Sequence, residues 1–258
     1  MQQPINLNAD LGESFGAWSM GDDAAMLGII GSANLACGFH ASDPLVMRDT
    51  VALAVANGVS IGAHPAFPDL QGFGRRVMRM APKELEACII YQIGALQAIA
   101  HSKGARVTHV KPHGALSNVA CQDDATAETV VRALLSLGGE LPLLAPALSA
   151  MTRAAQCLGL PVWHEVFADR TYQEDAQLTP RSQPGSVLHE PEACVAHVLA
   201  MLERGGIVTT SGQCLPTPID SICVHGDGVT AVQTARTLKQ ALQDRGYTLS
   251  ALNLLPTH

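Results

Sequence analysis

Short apolar runs recur along this chain, six of them ending in or just before histidine, acid or lysine, and each is followed by a stretch with the marks of a helix. The runs are 5–9, 33–37, 59–63, 107–111, 142–145, 161–167 and 221–225, with 206–210 as a degenerate eighth. Four of the intervening stretches carry clear start and stop signals. "SDPLVMRDTVALAVANG" has Asp43 as N-cap, Pro44 at the first helical position and Gly58 past the end. "APKELEACIIYQIGALQAIAHSKG" opens near Pro82 and stops at Gly104. "EPEACVAHVLAMLERGG" runs from Pro191 to Gly205, and "GDGVTAVQTARTLKQALQDRG" runs to Gly246. Strands that alternate with helices return in the same direction each time, which makes a parallel sheet. Seven or eight such units in 258 residues predict an α/β fold, a single (β/α) barrel of seven or eight strands, open to distortion, over residues 1–258. A doubly wound open sheet is the alternative. The stretch 168–190 is long, polar and rich in proline, and reads as an excursion or lid rather than a linker.

In a parallel fold the carboxyl ends of the strands all open on one face, where ligands bind. Here those ends carry Asn8, Asp10 and Glu13, then His40 and Asp43, His64 and Asp69, Lys111, His113 and Asn118, then Glu165, Asp169 and Arg170, and finally His225 and Asp227. The polar groups of "INLNADLGESFGAW", residues 5–18, are therefore assigned to that mouth. Structural readings compete at several positions. Asp43 before Pro44 suits a helix cap. His109 and His164 sit inside strands and suit packed core residues, while His101, His189, His197 and His258 suit the surface. Asp10, His40, His64 and His113 together could form an oxygen-and-imidazole metal site, but no HxxxH or HExxH pair singles one out, so the metal question stays open. In "QGFGRR", Gly72 and Gly74 allow a tight turn with exposed N–H groups and Arg75 and Arg76 add forked donors, a combination suited to phosphate or carboxylate. There is no GxxxxGK[ST] phosphate loop.

Composition narrows the function classes. The chain is 47% hydrophobic and 15% charged, too apolar for disorder. Its net charge of −7, with no basic run, argues against nucleic acid. No apolar stretch reaches the roughly 18 residues of a membrane span, and the N-terminus has no signal-peptide pattern. The seven cysteines are scattered singly, as expected of reduced thiols in the cytoplasm. Cys37, beside Gly38 and His40, is a weak nucleophile candidate.

The blocks "NLNADLGESFG", "ANLACGFHASDP", "GAHPAFPDLQGFGRR", "YQIGALQA", "HVKPHGAL" and "CVHGD", spread over residues 4–252, resemble the LamB/YcsF family. The resemblance implies a barrel related to the glycoside hydrolase and deacetylase type. It also implies an ATP-dependent 5-oxoprolinase activity, in which 5-oxo-L-proline, ATP and water give L-glutamate, ADP and phosphate, with B and C subunits as partners. Two positions depart from the family pattern: Ser42 stands where glycine is usual, and Ser117 where tyrosine is usual. Ring opening of a lactam through a phosphorylated carbonyl oxygen needs phosphate clamps, a group to activate water and charge stabilisation. On that chemistry, Asp10 and Glu13 are assigned as base or Mg²⁺ partners. His40, His64 and His113 are assigned to proton transfer and carbonyl polarisation. Lys111, Arg75 and Arg170 would neutralise phosphate or carboxylate, and Arg76, His225 and Asp227 complete a nucleotide-side set for ATP with Mg²⁺. Two other functions remain open: an ATP-independent, metal-dependent amidohydrolase or deacetylase, and a non-catalytic substrate-binding component of the complex. Replacing Asp10, His40 or His113 is expected to spare stability, because residues of a mouth serve chemistry rather than packing.

Overall fold

The computed structural model describes residues 4–225 and 230–258. Strands β1 (Asn6–Leu11), β2 (Ser32–Ala36), β3 (Ser60–His64), β4 (Val107–Val110), β5 (Leu143–Pro146) and β6 (Val162–Phe167) follow one another around a parallel barrel. The run 206–210 does not join it. Strand β7 (Gly206–Val208) pairs antiparallel with β8 (Cys214–Pro216) in a separate hairpin, and β9 (Ser221–Cys223) closes the barrel between β6 and β1. The barrel is thus seven-stranded. Ser221 sits at the seam, in register with both Asn6 and Glu165.

Helices α1 (Asp23–Leu27), α2 (Pro44–Ala56), α3 (Pro82–Ser102), α4 (Gly114–Gln122), α5 (Asp124–Ser136), α6 (Ala150–Leu158), α7 (Pro191–Arg204) and α8 (Ala231–Asp244) lie between the strands. Their ends follow the local signals. Asp43 caps α2 by accepting the N–H groups of Leu45 and Val46 at 2.8 and 3.1 Å, and its role is that cap. Gly205 stops α7 at φ 69°, a left-handed turn that costs glycine little. The sequence leaves 114–136 unassigned, and α4 and α5 fill it.

Alternation along β1 sorts its residues. Leu7, Ala9 and Leu11 join the apolar layer between barrel and helices. Asn6, Asn8 and Asp10, on the other face, bond to side chains of β2, β9 and β6, so they point inward. One stretch of the wall is irregular, with a register shift in β3 at Ile61/Gly62. A Cβ on Gly62 would lie 2.2 Å from His109 Nε2, so the glycine makes room for that imidazole inside the barrel. The C-terminal segment seals the opposite end. Its 3₁₀ turn at Leu252–Leu254 brings Leu252 and Leu255 against Leu144 and Trp163. All seven cysteines are free thiols. Burial pushes the Cys37 thiol up to about 12, which removes it as a nucleophile at neutral pH. Among the described residues no helix is long and apolar enough to cross a membrane.

Candidate active site

The barrel interior is polar from its floor upward. Asn6 donates to Ser32 Oγ at 2.9 Å and accepts from Ser221 at 2.7 Å. One level up, Asn8 donates to Ser221 at 2.7 Å and to Glu165 at 2.9 Å, and accepts from Asn34 at 2.8 Å. Asn34 also donates to Asp10 at 2.8 Å and meets His109 Nε2 at 2.9 Å. Asn6, Asn8 and Asn34 are fully enclosed, so Asn6 and Asn8 belong to an internal column and not, as the sequence suggests, to the mouth. A buried amide is tolerable because each one is bonded.

The column ends in a charged layer. Lys111, just past β4, places Nζ 2.9 Å from Asp10 and 3.0 Å from Glu165, with Cys223 Sγ at 3.1 Å. Burial opposes the Lys111 charge, but the neighbouring carboxylates outweigh it, Asp10 foremost, and the ammonium is held well above its ordinary range. Burial likewise opposes the Asp10 charge and is outweighed by His64 and Lys111, so the carboxyl is held well below its ordinary range. Glu165 is raised, because burial dominates over the pull of Lys111.

Above this layer four side chains from separate loops meet. His64 ends β3, His113 precedes α4, His40 follows β2, and Glu13 follows β1. His64 Nδ1–H donates to the Lys111 carbonyl at 2.6 Å, and His113 Nε2–H donates to the Phe73 carbonyl at 2.9 Å. His40 stacks on His113 with centroids 3.8 Å apart, and its Nε2 lies 3.3 Å from Glu13. Burial, then the other histidines, depresses the His113 imidazole to about 2. Gly74 is required at this spot. At φ 64° it passes so close that a Cβ would come within 2.8 Å of both His113 and His40.

A cavity of about 410 Å³ opens on the carboxyl ends of the strands, lined by Asp10, Glu13, His64, Lys111 and His113 among others. Arg75, Arg170, His225 and Ser117 also line it, while His40 lies beneath the stacked His113. The nucleotide-side residues are treated differently by the fold. Arg75 lies over the Phe73 ring at 5.0 Å. Arg76 does not reach the cavity: it pairs with buried Asp69 and leaves most of its side chain in solvent. The Gly-rich turn is spent internally too, with the N–H groups of Gly72 and Arg76 on the Asp69 carboxylate and that of Gly74 on the Asp69 carbonyl. It is therefore not a phosphate cradle. Arg170 faces the cavity but donates to the carbonyls of Ser186 and Thr179 at 3.1 and 2.6 Å, tying down the 168–190 excursion. That excursion forms one wall, through Tyr172 and Leu178. His225 pairs with Asp169 at 2.8 Å. Against burial, Asp169 raises the His225 imidazole. Asp227 lies outside the described residues.

Several contributors carry no role that the sequence alone reveals. Glu165 and Asp169 are visible there as strand-end acids, and Asn8 and Asn34 as alternating polar residues in strands. Only their partners across the barrel give them roles. His109 is packed, as expected, and His197 is half-buried against the Arg170 carbonyl rather than on the surface.

A parallel β/α barrel whose cavity gathers acids, imidazoles and an ammonium at the carboxyl ends of its strands belongs to the ligand-binding barrels. The LamB/YcsF family profile matches residues 5–256, and the chain belongs to that family. It is similar to a protein of Azoarcus sp. (strain BH72) named as the A subunit of 5-oxoprolinase, at 59% identity over 96% of this chain and 97% of that one. The crystal structure of a lactam utilization protein from Thermus thermophilus superposes with a TM-score of 0.91 at 40% identity, covering 97% of this chain and all of that one. A family 4 carbohydrate esterase from Streptomyces lividans, at 14% identity and TM-score 0.51, shares the fold, covering 98% of this chain and 95% of that one.

Proposed function

We propose that this chain is the A subunit of an ATP-dependent 5-oxoprolinase, opening 5-oxo-L-proline to L-glutamate together with B and C subunits. The observation that carries this reading is near-full-length similarity to the A subunit of the Azoarcus 5-oxoprolinase, joined to a cavity of a size suited to a small lactam. A lactam carbonyl is a poor electrophile. Transfer of the ATP γ-phosphoryl group to its oxygen creates a leaving group, and water then adds to the carbon. The tetrahedral adduct collapses by breaking its C–N bond, the ring nitrogen leaving with a proton as the glutamate amine, and a second water hydrolyses the remaining acyl phosphate to the carboxylate and phosphate.

Within that scheme the residues divide by charge state. Lys111 is held cationic by Asp10 and Glu165, and would stabilise negative charge developing on the carbonyl oxygen. Asp10 is too firmly ionised to be a good base, and it orients Lys111. Glu13 and the uncharged His113 line the cavity where water would attack, and would hold and polarise that water. Arg75 and the His225–Asp169 pair would meet the substrate carboxylate or phosphate. Mg²⁺ would accompany ATP. The internal use of the 72–76 turn supports seating the nucleotide mainly on a partner.

The test measures 5-oxoproline-dependent ADP release with this chain alone, with both partners, and with each partner omitted. Coupled turnover is expected only in the full set. Asp10→Asn and His113→Gln should each reduce turnover on the order of 100-fold in the assembled enzyme, the scale of a lost acid–base group. Ring opening by the chain alone, without ATP and lost to a chelator, would instead identify an ATP-independent amidohydrolase. Tight substrate binding without turnover in any mixture would identify a binding component.

A further inference from the structure

The His64 and His113 rings pose a problem of hydrogen placement. Each gives its only neutral-state proton to a backbone carbonyl, His64 Nδ1–H to Lys111 and His113 Nε2–H to Phe73, because a carbonyl can only accept. Both remaining nitrogens then carry lone pairs, and they face each other at 3.0 Å. Around them stand further bases. Glu13 Oε1 is 3.6 Å from His113 Nδ1, and Asp10 Oδ2 is 3.2 Å from His64 Nε2. His40 Nε2 is 3.3 Å from Glu13 Oε1. Asp10 already faces the Lys111 ammonium, but the two facing imidazole lone pairs repel one another unless a cation lies between them.

We propose that Glu13, His64, His113 and His40 form a binding site for a divalent transition ion of the zinc type. The spacings fit. Ligand atoms about 2.0–2.1 Å from a tetrahedral ion lie roughly 3.3–3.4 Å from one another. The pairs here measure 3.0, 3.3 and 3.6 Å, and the four ligand atoms all lie within 4.8 Å of one another. The carbonyls of Lys111 and Phe73 hold two of the rings by their far nitrogens, the arrangement that fixes tautomer and aim in metal-ligating histidines. His40 Nδ1 has no hydrogen-bond partner, so His40 is the least constrained of the four. Glu13, His64 and His113 also line the cavity, so the ion would sit at its inner wall. Imidazole and carboxylate donors select zinc, cobalt or iron over magnesium. The site stands on these side chains alone, whichever amide enters the cavity.

Stripping the purified full chain with a chelator and titrating it with Zn²⁺ by calorimetry tests the site, with Co²⁺ absorption as a second probe. One Zn²⁺ per chain is expected, with visible Co²⁺ bands of a low-coordinate nitrogen and oxygen site. Glu13→Gln and His113→Gln should each weaken Zn²⁺ by on the order of 100-fold or more, while exposed His101→Gln leaves it unchanged. Melting curves of the metal-free variants establish that they are folded. If either ligand variant fails to fold, loss of the Co²⁺ bands in the conservative His64→Asn and His40→Asn variants takes its place. Absence of stoichiometric binding to the folded wild-type chain would overturn the proposal and leave a shared proton between His64 and His113. Binding that survives every ligand substitution would overturn it equally.

Discussion

Replacing Lys111 by methionine keeps most of the side-chain volume and removes the ammonium that faces two buried carboxylates, Asp10 at 2.9 Å and fully buried Glu165 at 3.0 Å. Asp10 would keep the bond from Asn34. Glu165 would keep only Asn8, and its second oxygen already has no partner. The penalty therefore falls on Glu165, and it has a ceiling. A buried carboxylate need cost no more than taking up a proton. From an ordinary value of 4.5, protonation at pH 7 spans about 2.5 pH units at about 1.4 kcal/mol each, or roughly 3.4 kcal/mol. The wild-type protein already bears part of this through burial, so a loss of about 2–3 kcal/mol is expected at pH 7, near the range for a broken buried ion pair. At pH 5 the ceiling falls to about 0.7 kcal/mol, since protonation is then nearly free. The sign is fixed: in the variant the folded state holds a proton that the unfolded state releases above pH 4.5, so the defect grows as pH rises. Urea unfolding of the purified chain and of Lys111→Met at pH 5 and pH 7 measures both differences. A loss below about 1 kcal/mol at pH 7, or an equal loss at both pH values, would refute the account and trace the effect to packing.

Gly62→Ala should cost about 3 kcal/mol in denaturant unfolding, because its Cβ would lie 2.2 Å from His109 Nε2 and force that ring off Asn34. His109 itself should make the protein acid-sensitive. Burial depresses its imidazole to about 3, so from pH 6.5 downward the unfolded state takes up a proton that the folded state refuses, and stability falls by up to about 1.4 kcal/mol per pH unit. In His109→Gln that part of the slope between pH 6.5 and 4 should vanish, as read from unfolding at stepped pH; an unchanged slope would show that His109 is not its source. Ser42 sits at φ 72°, in the left-handed region that favours glycine. Ser42→Gly should therefore stabilise by up to about 1 kcal/mol in the same assay, relief of left-handed strain exceeding the entropy of the added glycine.

One expectation from sequence is corrected by burial. His40 and His113 are 1% and 6% exposed, and Asp10 holds Lys111, so substitutions there will cost stability as well as activity. Both effects must be measured before a role is assigned.

Much of this molecule was legible in the chain because the signals are local. Caps such as Asp43 and stops such as Gly205 act within a few residues, and the repeated alternation of strand and helix already makes a parallel sheet. The gathering of Asp10, Glu13, His40, His64, Lys111 and His113 followed from topology alone, since parallel strands deliver their ends to one face. What the chain could not declare was which way a polar group turns and whom it meets. Asn8 and Glu165 are 157 positions apart, and only the closed barrel makes them a bonded pair. Arg75 and Arg76 are neighbours of identical type, yet one faces the cavity and the other is held by Asp69 on the outside. The run 206–210 has a strand's composition, but the barrel was completed by 221–223 and left it to a hairpin. Backbone conformation is decided by neighbours in sequence; the partners of a buried charge are decided by neighbours in space, and those exist only once the barrel has closed.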